Sequence, residues 1–185
     1  MPKSSGQSVL QLRAQLREVE PIVWRRLLVP AGARLGKLHS VLQAAMGWSN
    51  CHLHCFKIGH LTYGTMSDGS PPDELDEDAV LVLTAIGHQR RFVYEYDFGD
   101  SWEHDIVVED RLTTPLGLKF AVCLDGQNSC PPEDCGGPPG YEEILEALAD
   151  PEHEAHDKFS SWLGGALDPA RFDLATTNAA LQRVR

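Results

Sequence analysis

What the chain lacks narrows the reading first. No apolar run approaches the roughly 20 residues that a helix needs to cross a bilayer, and the opening MPKSSGQSV has no apolar stretch of the signal-peptide kind. The expectation is a cytoplasmic protein without membrane contact. Basic charge is scarce: 16 Lys and Arg stand against 27 Asp and Glu, a formal net charge of −11. An acidic chain repels phosphate backbones, so nucleic-acid binding is disfavoured. No Gly-x-Ser-x-Gly elbow occurs. Gly136-Gly137-Pro138-Pro139-Gly140 is glycine-rich but lacks the Lys-Ser/Thr that completes a phosphate loop. Asp97-Phe98-Gly99 spells the magnesium motif of kinases, without the phosphate loop, paired lysine or catalytic loop that motif requires. Five cysteines, an odd number, argue against a complete disulfide framework and favour free, buried or metal-bound thiols in a reducing compartment.

What is present has a clear centre. Phe92 to Val108 reads FVYEYDFGDSWEHDIVV, two period-two aromatic runs flanking the turn Asp97 to Ser101. This predicts a β-hairpin with Phe92, Tyr94 and Tyr96 on one face of the first arm and Trp102, His104 and Ile106 on one face of the second. Leu10, Leu12, Ala14 and Leu16 alternate with Gln11, Arg13, Gln15 and Arg17, which predicts a half-buried strand. Ile22 to Val29 reads as its partner. Residues 34–46 carry Leu35, Leu38, His39, Leu42, Ala45 and Met46 at helical spacing, with Gly47 as the stop and His39 as a packed core histidine. Cys51 to Ile58 reads as a third strand, with His52, His54 and Phe56 on one face, and Gly59 to Tyr63 as its return.

Residues 64–78 are Gly, Pro and acid without an apolar period, which reads as a mobile acidic loop. Ala79 to Ile86 suits a short strand or a helical turn. Beyond a linker at Thr113-Thr114-Pro115 and an edge strand at Phe120 to Leu124, residues 125–140 (DGQNSCPPEDCGGPPG) are too rich in Gly, Pro and Cys for a regular ladder. Helices follow from Tyr141, at about 152–163 up to Gly164-Gly165, and after Asp173 as N-cap. The expectation is an α+β fold, mainly antiparallel sheet packed with helices, ending in a helical portion. A single domain would span 8–184, with a sheet body over about 8–112 and the loop and helices over about 113–184.

Two residue sets point to chemistry. Cys123, Cys130 and Cys135 offer three thiolates, and His153 or His156 offers a fourth ligand for a structural zinc. Without a metal, the same cysteines are small buried hydrophobes in a Pro-shaped loop. His52 and His54, at i and i+2, would meet Asp97, Asp100 and His104 if the histidine-bearing arm of the hairpin lies beside the His-Leu-His segment in one sheet. That set suits a catalytic divalent metal. The plain alternative has the histidines hydrogen-bonded and the aspartates capping turn amides. Glu133 and Asp134 are adjacent, with nothing in the sequence to mark one as acid and the other as base. A basic face through Arg13, Arg17, Arg25 and Arg26 is the one feature that invites nucleic acid.

The ordered segments EVEPIVWRRLLVP, LHSVLQAAMGW, HLHCFKIG, YEYDFGDSWEH, CPPEDCGGPPGY and FDLATTNAAL resemble those of the plasmid Ri ORF-three-like family, also labelled as insertion-element passenger proteins of the TnpR type. The resemblance covers about residues 8 to 184 and implies a single α+β domain. The label suggests a resolvase, yet Ser4, Ser5 and Ser8 sit in or just after the leader, and the last tyrosine is Tyr141. About activity the resemblance implies little. The leading expectation is a non-enzymatic accessory protein of mobile elements that acts by contacts with a protein partner, through the acidic loop and the helical tail, with a structural zinc as an option. The alternative is a metal-dependent hydrolase or nuclease that uses the His/Asp set.

Overall fold

The computed structural model describes residues 6–67, 69–114, 118–164 and 167–184. The chain opens with β1 (Gln7–Leu16) and β2 (Trp24–Pro30), then α1 (Leu35–Met46). Next come β3 (His54–Ile58), β4 (Leu61–Gly64), β5 (Leu75–Asp76), a 3-10 turn at Glu77–Ala79 and the short α2 (Val82–Ile86). The central hairpin is β6 (Arg91–Tyr96) and β7 (Trp102–Thr114), followed by β8 (Val122–Gln127) and the helices α3 (Gly137–Ala149), α4 (His156–Trp162) and α5 (Leu174–Leu181). All eight strands join one sheet in the order β5-β4-β3-β6-β7-β1-β2-β8. Among the described residues only the β4–β5 pair is parallel. This is the α+β architecture expected from the alternation.

Period-two patterning sends Leu10, Leu12, Ala14 and Leu16 inward, together with Phe92, Tyr94, Tyr96, Trp102, His104 and Ile106. Leu35, Leu38, Val41, Leu42 and Ala45 of α1 share that core. Each fully buried leucine contributes roughly 1.5–3 kcal/mol relative to an exposed one. Gly47 ends α1 at φ 90°, where a side chain would be strained, and its N–H bonds the Gln43 carbonyl.

The opposite sheet face is a lattice of ion pairs. Arg17 bridges Glu103 and Asp105, and Arg26 pairs with Glu109. Arg13 and Arg26 lie over the Trp24 ring at 4.9 and 5.2 Å. Arg25 points the other way and is buried. The basic face read from the sequence is therefore largely neutralised by side chains of β7.

Several boundaries differ from the expectation. The third strand begins at His54 rather than Cys51, so His52 lies in the preceding bend and does not share a strand face with His54. The acidic segment includes β5, and it carries the chain into the 3-10 turn where Glu77 is buried. β7 continues through Thr113 and Thr114, and Pro115 lies outside the described residues, as does Gly165. The edge strand is shifted to Val122–Gln127, and α4 is shorter than the pattern suggested.

Candidate functional site at three loop tips

β3 pairs with β6, and β6 with β7, so His54 and the hairpin share one sheet, but the histidine-bearing arm β7 is not beside β3: the first arm, β6, lies between them. The register sets His54 opposite Tyr96, and Tyr94 opposite His104. Tyr94 therefore stands between the two strand histidines, with ring centroids 5.9 Å from His54 and 5.3 Å from His104. Neither histidine reaches the hairpin tip.

His54 instead turns toward Glu77, Nε2 to carboxylate 2.8 Å, in a pair almost wholly removed from solvent. Its ring stacks on His39. His39 donates from Nε2 to the Asn50 side-chain oxygen at 2.6 Å and accepts the Tyr94 hydroxyl at Nδ1 at 2.8 Å, a set that suits the neutral ring. Burial first, and then the neighbouring His54, pushes His39 down to about 4. His104 is fully enclosed, its Nδ1 against the carbonyls of Tyr94 and Trp102 and its Nε2 without a hydrogen-bond partner; burial pushes it to about 4. Two members of the expected catalytic set, His54 and His104, are thus core residues.

Of the other members His52 and Asp97 come together, while Asp100 does not join them and bonds the loop ahead of α3 instead. The hairpin tip, the α1–β3 loop and the loop ahead of α3 converge at one end of the sheet. The Trp48 indole stacks on Tyr96 at 5.1 Å and donates to the Pro131 carbonyl at 2.9 Å. The Tyr96 hydroxyl accepts the Cys51 N–H at 3.0 Å and donates to Glu133 at 2.6 Å. The other oxygen of Glu133 takes the Ser49 N–H and hydroxyl. Burial opposes the Glu133 charge, but the bonds from Ser49 and Tyr96 outweigh it and hold the carboxyl below its ordinary value. Asp100 accepts the Gly136 N–H at 3.1 Å, which ties the tip to the third loop.

Within this frame His52, Asp97 and Asp134 form the one group of three metal-ligating side chains that gathers among the described residues. His52 Nε2 is 3.1 Å from an Asp134 oxygen and 3.6 Å from an Asp97 oxygen. That nitrogen is buried and makes no hydrogen bond of good geometry. Asp97 uses Oδ1 to accept the N–H groups of Gly99 and Asp100 at 3.0 and 3.4 Å, which leaves Oδ2 facing His52. Asp134 is 72% exposed at its side chain. Asn50, Asp97, Ser101 and Asp134 all have positive φ, between 54° and 59°. Such backbone costs on the order of 1–3 kcal/mol per residue and tends to gather at functional sites. A groove of about 280 Å³ borders Asp134, walled by Cys135, Glu143, Lys158, Phe159 and Trp162.

The cysteine set is not brought together with its histidines. Cys123 sits on edge strand β8 with its thiol directed at the Asp125 carbonyl, and Cys135 lies near the Gly137 carbonyl. His153 accepts the Ala155 N–H, and His156 bonds the Ala147 carbonyl, so both close the α3–α4 corner. Burial raises the thiols of Cys123, Cys130 and Cys135, the last to about 12, which favours their protonated form. Asp134 was visible in sequence only as the neighbour of Glu133. Its place in a loop of turn-forming residues was the available signal.

A mainly antiparallel sheet whose loop tips present one imidazole and two carboxylates defines an α+β protein with a candidate divalent-cation site. More specifically, the chain belongs to the family described as plasmid pRiA4b ORF-3-like protein, which matches residues 8–176. It is 42% identical over 177 residues to "Uncharacterized protein y4hQ" of Sinorhizobium fredii, covering 94% of this chain and 91% of that protein. Its fold resembles the crystal structure of the protein of unknown function MM3350 from Methanosarcina mazei Go1, with a TM-score of 0.85 and 32% identity over 92% of this chain and 97% of that one.

Proposed function

We propose that the protein binds a divalent transition-metal ion through His52, Asp97 and Asp134 and uses it for hydrolysis. The observation that carries this reading is the orphaned His52 Nε2, buried between two carboxylate oxygens at 3.1 and 3.6 Å. Ligand atoms around an ion with bonds of about 2.0–2.1 Å sit roughly 3.0–3.4 Å from one another, so the donors are already near coordination spacing. One nitrogen with two carboxylates suits zinc or manganese better than calcium, which prefers a larger all-oxygen shell. A bound ion would supply Lewis acidity and a water acidified toward neutrality.

The chain's own residues have distinct parts. Asp97 is held by the tip amides, and Glu133 pins the two neighbouring loops through Ser49 and Tyr96. Asp134 faces solvent beside the groove with Lys158 and Trp162, which leaves the outer side open to substrate. A second reading, contact with a protein partner through the acidic segment, is favoured by exposed Met66 and Leu75 within it.

Titration of chelator-treated protein with Zn²⁺ or Mn²⁺ in a calorimeter, paired with hydrolysis of bis-p-nitrophenyl phosphate, tests the first reading. One ion per chain is expected. His52→Gln and Asp134→Asn should each weaken binding at least about 10-fold, while Cys130→Ser leaves it unchanged. Equal affinity in His52→Gln and the parent would reject the site. Metal binding without metal-dependent turnover would reject the hydrolase and leave the site.

A further inference from the structure

On the far side of the Cys-Pro-Pro loop, a cavity of about 390 Å³ opens between the C-terminal end of α1 and helix α5. It shares no lining residue with His52, Asp97 or Asp134. Its volume lies within the roughly 300–1,000 Å³ typical of small-molecule sites. Ala44, Met46, Phe172 and Ala180 supply apolar walls, and two arginines, Arg25 and Arg171, are among the lining residues.

Arg25 is the unusual group. The residue is 3% exposed, yet it has no carboxylate partner among the described residues. Its Nε–H donates to the Ala45 carbonyl, its Nη1 to those of Trp24 and Gln127, and its Nη2 to that of Asn128. A guanidinium has five N–H donors, so among the described residues one on Nη2 has no acceptor. Phe172 lies over the guanidinium at 4.4 Å. That closeness depends on Gly126, where a Cβ would come within 2.7 Å of the ring and 2.9 Å of the Arg25 side chain. Carbonyl dipoles and a π-face reduce the cost of a buried cation without cancelling its charge. Burial accordingly lowers the Arg25 pKa. The acid in the lining, Asp173, is committed as the N-cap of α5, accepting the Thr176 N–H at 2.9 Å.

We infer that this cavity binds a small organic carboxylate with an apolar body, its carboxylate toward Arg25 and Arg171 and its hydrocarbon against Ala44, Met46 and Ala180. A bare inorganic anion would leave the apolar walls unfilled, and an amine would meet two cations against the single carboxylate of Asp173. The walls supply affinity for the body and the guanidinium groups supply the choice of headgroup.

The test compares octanoate, octan-1-ol and octylamine by calorimetry and thermal shift on the full chain. Octanoate should bind and raise the melting temperature, and the amine should not bind. Ala180→Leu narrows the cavity and should abolish binding. Arg171→Gln, at an exposed position, should weaken octanoate about 2- to 5-fold, the value of one solvent-exposed ion pair. Asp134→Asn should bind octanoate as the parent does, which separates this cavity from the metal site. No octanoate binding at millimolar concentration, equal binding of all three compounds, or unchanged affinity in both Ala180→Leu and Arg171→Gln would overturn the inference.

Discussion

His39 of α1 and His54 of β3 lie face to face, ring centroids 3.4 Å apart and planes 5° from parallel. Two imidazoliums cannot share that spacing away from water. His54 bonds Glu77, while His39 bonds neutral partners and is pushed down to about 4 by burial and by His54. The stack joins helix to sheet through a polar contact inside an otherwise apolar core.

Acid should therefore unfold the protein early. His39 and His104 both sit near 4 in the folded state, against about 6.5 unfolded. Below pH 6.5 the unfolded chain binds protons that the folded chain refuses, so stability falls as pH drops from 6.5 to 4 and levels off below. Each histidine contributes on the order of 3 kcal/mol across that window. His104→Leu should flatten the decline by about half, as read from urea unfolding at pH 7, 5.5 and 4.5. Parallel curves for variant and parent would remove His104 from the account.

Glu77→Gln should cost about 1–3 kcal/mol, since it disturbs the buried hydrogen bonds of the carboxylate to His54 and Thr65. Asp73→Asn, on the exposed part of the same acidic segment, should change stability by less than about 0.5 kcal/mol. Chemical denaturation of the two variants decides this. Similar small losses in both would mean that the pair does not anchor the segment.

At the hairpin tip, Asp97 holds φ 58° and caps two amides. Asparagine tolerates that backbone and keeps an accepting oxygen. Asp97→Asn should fold like the parent but bind Zn²⁺ more weakly. Asp97→Ala should also lose about 1–2 kcal/mol through the missing cap and the strained φ. Measuring metal affinity and stability on both variants separates the two roles of one carboxylate.

Gly140→Ala should be among the most damaging single changes, because its Cβ would fall 1.8 Å from the Cys135 carbonyl oxygen, a backbone atom. A loss above about 3 kcal/mol is expected. Gly32→Ala is the control, with no atom within 4 Å of the added carbon. Thermal melts that rank the two variants equally would show that the third loop can shift away from α3.

Duplex DNA should not bind, because Arg17 and Arg26 are spent on Glu103, Asp105 and Glu109, and Arg25 is buried. A gel-shift titration at low salt is the check. A complex whose affinity fell steeply with salt would return the strand face to consideration.

Local patterning carried far in this chain. The alternation of Leu10 to Leu16 and of Phe92 to Ile106 set which faces are buried, because a strand's side chains alternate whatever lies beyond it. Helix α1, its glycine stop and the Asp173 cap were equally legible, since each depends on neighbours within a few residues. The site was not. His52 and His54 look equivalent two residues apart, but β3 begins only at His54, so one imidazole enters the core and the other stays in the bend. Asp134 and Glu133 join a histidine, a serine and a tyrosine some 37 to 84 residues away, and no period in the sequence records such a meeting. Composition and alternation determined the α+β sheet and its core. Which carboxylates face which histidine was decided only when three separate loops were packed against one another, because left-handed turns and long-range hydrogen bonds aim those side chains.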